Sequence, residues 1–142
     1  MAENKTANDL IKWMEDLFKK LPNLPTGGRE VLVKIAPWIA LIFGILGIIA
    51  GIVALGFSPL AMLGGLNSSF IVLLTGVVAI VSSVLMLMAY PKLAKKEYKG
   101  WVLLFYSEVV GVVSAILSLS IGSIIGVIIG FYLIFQIKSY YK

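Results

Sequence analysis

A chain of 142 residues that is 60% hydrophobic and only 13% charged has more apolar surface than a water-soluble core can hide, so much of it must face lipid. It contains no cysteine and no histidine, which excludes disulfides, thiolate nucleophiles, zinc sites of the usual type and imidazole bases. The net charge of +5 is spread over the ends of the apolar runs rather than gathered on one basic face, so no nucleic-acid partner is expected.

The opening residues have no apolar stretch next to Met1, so no cleavable signal peptide is expected and the first hydrophobic run would itself direct insertion. Residues 6–21 read as a helix lying in the membrane interface. At 100° per residue Leu10, Ile11, Trp13, Met14, Leu17, Phe18 and Leu21 share one face, and Asp9, Lys12, Glu15, Asp16, Lys19 and Lys20 share the other. Thr6 and Asp9 resemble a capping box at its start. Three acids balance three bases on the polar face, so the helix is not built only to grip anionic lipid. It either docks on its own bundle and the headgroups or serves a dedicated partner.

Leu21 to Gly28 carries two prolines and two glycines and reads as a hinge. Arg29 to Ala36 resumes a helical pattern, and Pro37 is placed in the opening turn of the first membrane helix. Four apolar runs come next, at about 35–57, 70–90, 101–119 and 121–137, each near the ~20 residues that a membrane span needs. The loop 58–69 and the turn containing Ser118, Ser120, Gly122 and Ser123 are uncharged. The segment from Pro91 to Gly100 carries four lysines and one glutamate, and the tail 138–142 carries two lysines. Every charged flank therefore falls on one side.

The fold class expected is an all-α integral membrane protein. It has four transmembrane helices in two hairpins, both termini cytoplasmic, preceded by the interfacial helix; residues 1–34 form a cytoplasmic unit and 35–142 the membrane domain. The plasma (cytoplasmic) membrane is the expected location. Trp38, Tyr90, Tyr98, Trp101, Tyr140 and Tyr141 read as an aromatic belt at the cytoplasmic level.

Helices in lipid associate through close packing of small residues. Gly44, Gly47 and Gly51 mark such a stripe on the first span and Gly111 on the third. Gly122, Gly126 and Gly130 form a glycine zipper on the fourth, facing either the same chain or a second copy. One charge interrupts the apolar runs. Glu108 lies seven residues past Trp101, about 10 Å deep at 1.5 Å per residue. Ser82, Ser83 and Tyr132 fall at similar depth, so a polar cluster around Glu108 is expected. That carboxylate either binds a cation or relays a proton, or it joins helices, for instance by pairing with Lys99 or Lys138.

There is no paired carboxylate, no nucleophile constellation, no phosphate loop after a strand and no metal-ligand cluster. No enzyme activity, cofactor or metal is expected. The partners expected are the lipid bilayer and either a second copy or another membrane protein. An amphipathic helix followed by two membrane hairpins resembles membrane-shaping hairpin proteins in architecture. The expectation is a structural role: self-associating scaffold, complex subunit or membrane-shaping protein. The alternative is a small channel or transporter subunit that uses Glu108.

Overall fold

A computed structural model describes residues 2–142, with side chains from Lys5 onward. Among these residues there is no strand. The helices are α1 (Ala2–Phe18), α2 (Thr26–Phe57), α3 (Leu66–Ala94), α4 (Tyr98–Ser118) and α5 (Ile121–Ile137), with short 3-10 turns at Leu60–Gly64 and Lys138–Tyr140. The helices α2, α3, α4 and α5, the last extended through its 3-10 turn, are long and apolar enough to cross a membrane. The chain is an integral membrane protein.

Several boundaries differ from those the sequence suggests. The first helix begins at Ala2, so Thr6 lies inside it and cannot be its N-cap. Nothing between Ala2 and Lys5 breaks a helix. The second begins at Thr26 and runs unbroken through Pro37, which joins Arg29–Ala36 to the apolar run as one helix of 32 residues. A proline removes one hydrogen bond from a helix without ending it, and Pro37 and Val33 are both buried. Pro91 is likewise interior to α3, which passes the expected end at Tyr90 and reaches Ala94. α4 ends where Leu119 takes the left-handed conformation, at φ 47°, a place where glycine is the usual residue.

Small residues set how closely neighbouring helices meet. A Cβ added to Gly51 would lie 2.5 Å from Ile80 Cγ1 and 2.9 Å from the Gly76 carbonyl; one on Gly44 would lie 2.8 Å from Leu87. Gly47 faces Ser83 in the same seam between α2 and α3, so the two helices run in opposite directions along it. Between α3 and α4 a close approach lies at Gly100, whose Cβ would meet the Leu93 backbone nitrogen at 2.7 Å.

Packing concentrates at the charged end of the bundle. Tyr98, Trp101 and Phe105 stack along α4 with successive ring centres 5.7 Å apart, and Phe131 and Phe135 of α5 close on them. The sequence suggests an interfacial belt for Trp101, but the side chain is fully buried. Its indole N–H donates a 2.7 Å hydrogen bond to the Ile134 carbonyl. Ile134 lies in the last turn of α5, where carbonyls lack a helical partner, so the indole caps that helix. Packing thins at the other end, where Leu63, Leu66, Leu119 and Ile121 are all at least three-quarters exposed.

The first helix lies across this aromatic core. Ile11 is buried, Phe18 stacks on Phe135 at 5.4 Å, and Glu15 pairs with Lys138 at 2.5 Å. The hinge is tied down twice: Tyr132 donates to the Pro22 carbonyl at 2.6 Å, and the Leu24 N–H donates to Gln136 Oε1 at 3.1 Å.

Candidate functional site around Glu108

Glu108 stands on the face of α4 that also carries Trp101, Leu104, Phe105 and Ala115, all buried. Helical spacing therefore directs its carboxylate inward. Room for it comes from Gly130 on α5: a Cβ there would lie 2.7 Å from Oε2 and 2.9 Å from Oε1. Beside the carboxylate is a cavity of about 150 Å³ bounded by Ala36 and Ala40 of α2, Met86 of α3, and Leu133 and Ile137 of α5. Glu108 is the one side chain with polar atoms in that lining, and among the described residues no hydrogen bond or ion pair reaches it.

The residues expected around it have other partners. Ser82 Oγ donates to the Ser107 carbonyl across the α3–α4 seam at 3.1 Å, and Ser83 Oγ donates to Ala79 one turn back at 2.6 Å. Tyr132 reaches away from Glu108 to the Pro22 carbonyl, a group with no helical N–H to satisfy it. Lys138 is held by Glu15. The serines belong to a second cavity of about 260 Å³, with Gly111, Ser114 and Ser123, which shares only Met86 with the first. Ser107 Oγ is buried without a hydrogen-bond partner among the described residues. Chemically, a lone carboxylate in an apolar lining can accept hydrogen bonds and, once protonated, donate one. It cannot by itself complete the six to eight oxygens of a calcium site. Among the described residues no three acidic side chains stand together.

The glycines divide in the same way. Gly44, Gly47 and Gly51 press against α3, and Gly130 against Glu108. Gly111 has only Val127 at 4.0 Å, Gly122 meets only Ser120 of its own turn, and nothing lies within 4 Å of the position a Cβ would take on Gly126. On α1, Met14 and Phe18 turn toward the bundle, while Leu10, Trp13 and Leu17 are exposed by 42%, 61% and 43%.

Two participants are absent from the expectations drawn on sequence. Gly100 reads as a turn residue because it closes a lysine-rich segment. Gln136 is the only glutamine of the chain and sits inside the fourth apolar run, a signal as visible as Glu108. Comparison with family models, with curated proteins and with solved structures gives no match.

Proposed function

We propose that this chain is a non-enzymatic scaffold of the cytoplasmic membrane that self-associates and shapes the bilayer. It is inserted as two helical hairpins with both termini on the cytoplasmic side. The distribution of charge supports that orientation, because every lysine-bearing flank lies at the end where α1 docks. The observation that carries the proposal is the division of α1's apolar surface. Ile11, Met14 and Phe18 fasten the helix to the bundle, and Leu10, Trp13 and Leu17 remain exposed beside it. A helix fixed at headgroup level with an outward apolar ridge displaces lipid from one leaflet only, which favours curvature. Gly122 and Gly126 leave a stretch of α5 that another helix can approach closely, which supplies the self-association.

The test uses purified protein in liposomes at graded protein-to-lipid ratios, imaged by electron cryomicroscopy. Wild type should narrow or tubulate the vesicles, and the triple variant Leu10→Gln, Trp13→Gln, Leu17→Gln should insert and fold but leave them round. Vesicles unchanged by densely packed wild type would sink the proposal.

A second reading has one observation in its favour: Ser82, Ser83, Ser114 and Ser123 line a cavity adjoining that of Glu108. In a small channel or transporter subunit, those hydroxyls and the carboxylate would form the path. Single cysteines at Ser82, Glu108, Gly111 and Ser114, in this cysteine-free background, would react with a membrane-impermeant thiol reagent if water reached them. Unreactive positions in folded protein leave the scaffold.

A further inference from the structure

At the charged end, between α1, the hinge, the first turn of α2 and the tail, lies a cavity of about 370 Å³. Two residues that border it each carry a buried donor with no hydrogen-bond partner among the described residues: Arg29 at Nε and Tyr141 at its hydroxyl. Buried donors are normally satisfied, and leaving two beside one cavity destabilises the apo protein unless something arrives to accept from them. The charge of the lining points the same way. Lys19, Arg29 and Lys138 border the cavity together with one carboxylate, Glu15. That carboxylate is already held by Lys138 at 2.5 Å and approached by Lys19 at 3.8 Å. The guanidinium of Arg29 has no carboxylate partner among the described residues.

We propose that this cavity binds a phosphate monoester, taken either from the headgroup of an anionic phospholipid or from a soluble phosphate ester. A guanidinium is the side chain best shaped to grip two phosphate oxygens at once, and a tyrosine hydroxyl adds a third, directional donor. Three cations border the cavity with one carboxylate in its lining, and Asp16 reaches Lys19 at 3.9 Å, so the charge around the cavity stays net positive and suits an anion such as a phosphate monoester. Burial pushes the Tyr141 hydroxyl up to about 12, so it remains a donor throughout the physiological range. Phe18 and Phe135 form part of the wall, giving an apolar flank to whatever carries the phosphate.

The experiment has two arms on the full chain in a non-ionic detergent. In one, inorganic phosphate and glycerol 3-phosphate are titrated by calorimetry. In the other, equal amounts of dioleoyl phosphatidate and dioleoyl phosphatidylcholine are offered and retention is read by native mass spectrometry. Binding in the first arm assigns a soluble ester. Retention of phosphatidate over phosphatidylcholine with no binding in the first arm assigns a lipid headgroup. In either case Arg29→Gln should weaken binding by at least about tenfold, the loss of one charge-assisted contact, and Tyr141→Phe by a smaller factor. Tyr141→Phe removes one oxygen and no packing, so it carries the test if Arg29→Gln fails to fold. No binding in either arm overturns the proposal. So does binding that neither variant weakens.

Discussion

Glu15 and Lys138, 123 residues apart, form the ion pair that joins the first helix to the last, and the same ammonium stands 5.6 Å from the centre of the Trp101 ring. One cation thus links α1, α4 and α5. Both side chains are less than one-third exposed, which places the pair between a surface bridge and a buried one. A double-mutant cycle of Glu15→Gln and Lys138→Met should give a coupling of about 1 kcal/mol. Lys138→Met should be the more damaging single change, because it also removes the ammonium from the indole face. Hydrogen exchange of the α1 amides is the readout: either variant should raise it in α1 and leave α2 and α3 unchanged.

Alanine at four glycines should separate packing from free surface. Gly100→Ala places a Cβ 2.7 Å from a backbone nitrogen, which cannot swing aside as a side chain can. It should cost about 1–3 kcal/mol in unfolding and loosen the α3–α4 seam. Gly51→Ala should behave alike, since the Gly76 carbonyl stands 2.9 Å from the new atom. In Gly130→Ala the atoms nearest the new Cβ are the end of the Glu108 side chain, which can rotate, so the change should cost less. Gly126→Ala meets nothing within 4 Å and should stabilise the protomer by up to about 1 kcal/mol through helix propensity. Bulkier Gly126→Leu should leave the protomer folded and lower the cross-linked dimer fraction. An unchanged fraction would remove α5 from the self-association.

The legibility of each feature in the sequence depends on what decides it physically. The four spans were legible because twenty consecutive apolar residues have few other solutions. Their ends were not, because whether Pro37 or Pro91 ends a helix is decided by neighbours that a single sequence does not locate. Trp101 shows the same limit: an aromatic near a helix end suits an interface equally well as a core. Only the approach of the Ile134 carbonyl decides between them, and Tyr132, expected beside Glu108, turns instead to the hinge at Pro22. Depth along the helices set Glu108 apart as a lone charge within the apolar runs. It could not give the rotation of α3, which turns Ser82 and Ser83 to different carbonyls. The cavity beside Arg29 and Tyr141 joins residues more than a hundred positions apart and left no local trace.

Glu108→Leu is expected to raise the stability of the protomer. The side chain occupies an apolar lining without a hydrogen-bond partner among the described residues, and leucine fits that lining with no polar group to satisfy. An unsatisfied polar group in such a place costs about 1–3 kcal/mol. Unfolding in a mixed-micelle denaturant titration should shift upward by an amount of that order, and Glu108→Gln should shift it little. A leucine variant less stable than wild type would mean that the carboxylate has a partner, supplied by a second copy or a bound ion.

Tyr141 gives a pH dependence whose sign can be worked out. Its hydroxyl titrates near 10.0 in the unfolded chain and at about 12 in the folded one, because burial disfavours the phenolate. A group whose folded pKa is raised contributes its stability in full below the unfolded value. It loses that contribution as pH rises toward the folded value. Between pH 10 and 12 the unfolded chain releases this proton and the folded chain retains it, so the tail should detach from its packing against α4 with increasing alkalinity. Tyr141→Phe has no proton to lose. The difference in melting temperature between the variant and wild type should therefore be constant up to about pH 9.5 and then move in the variant's favour, the onset following from a reference tyrosine value near 10. Parallel melting curves up to pH 11.5 would place the Tyr141 hydroxyl in water rather than in the wall of the cavity.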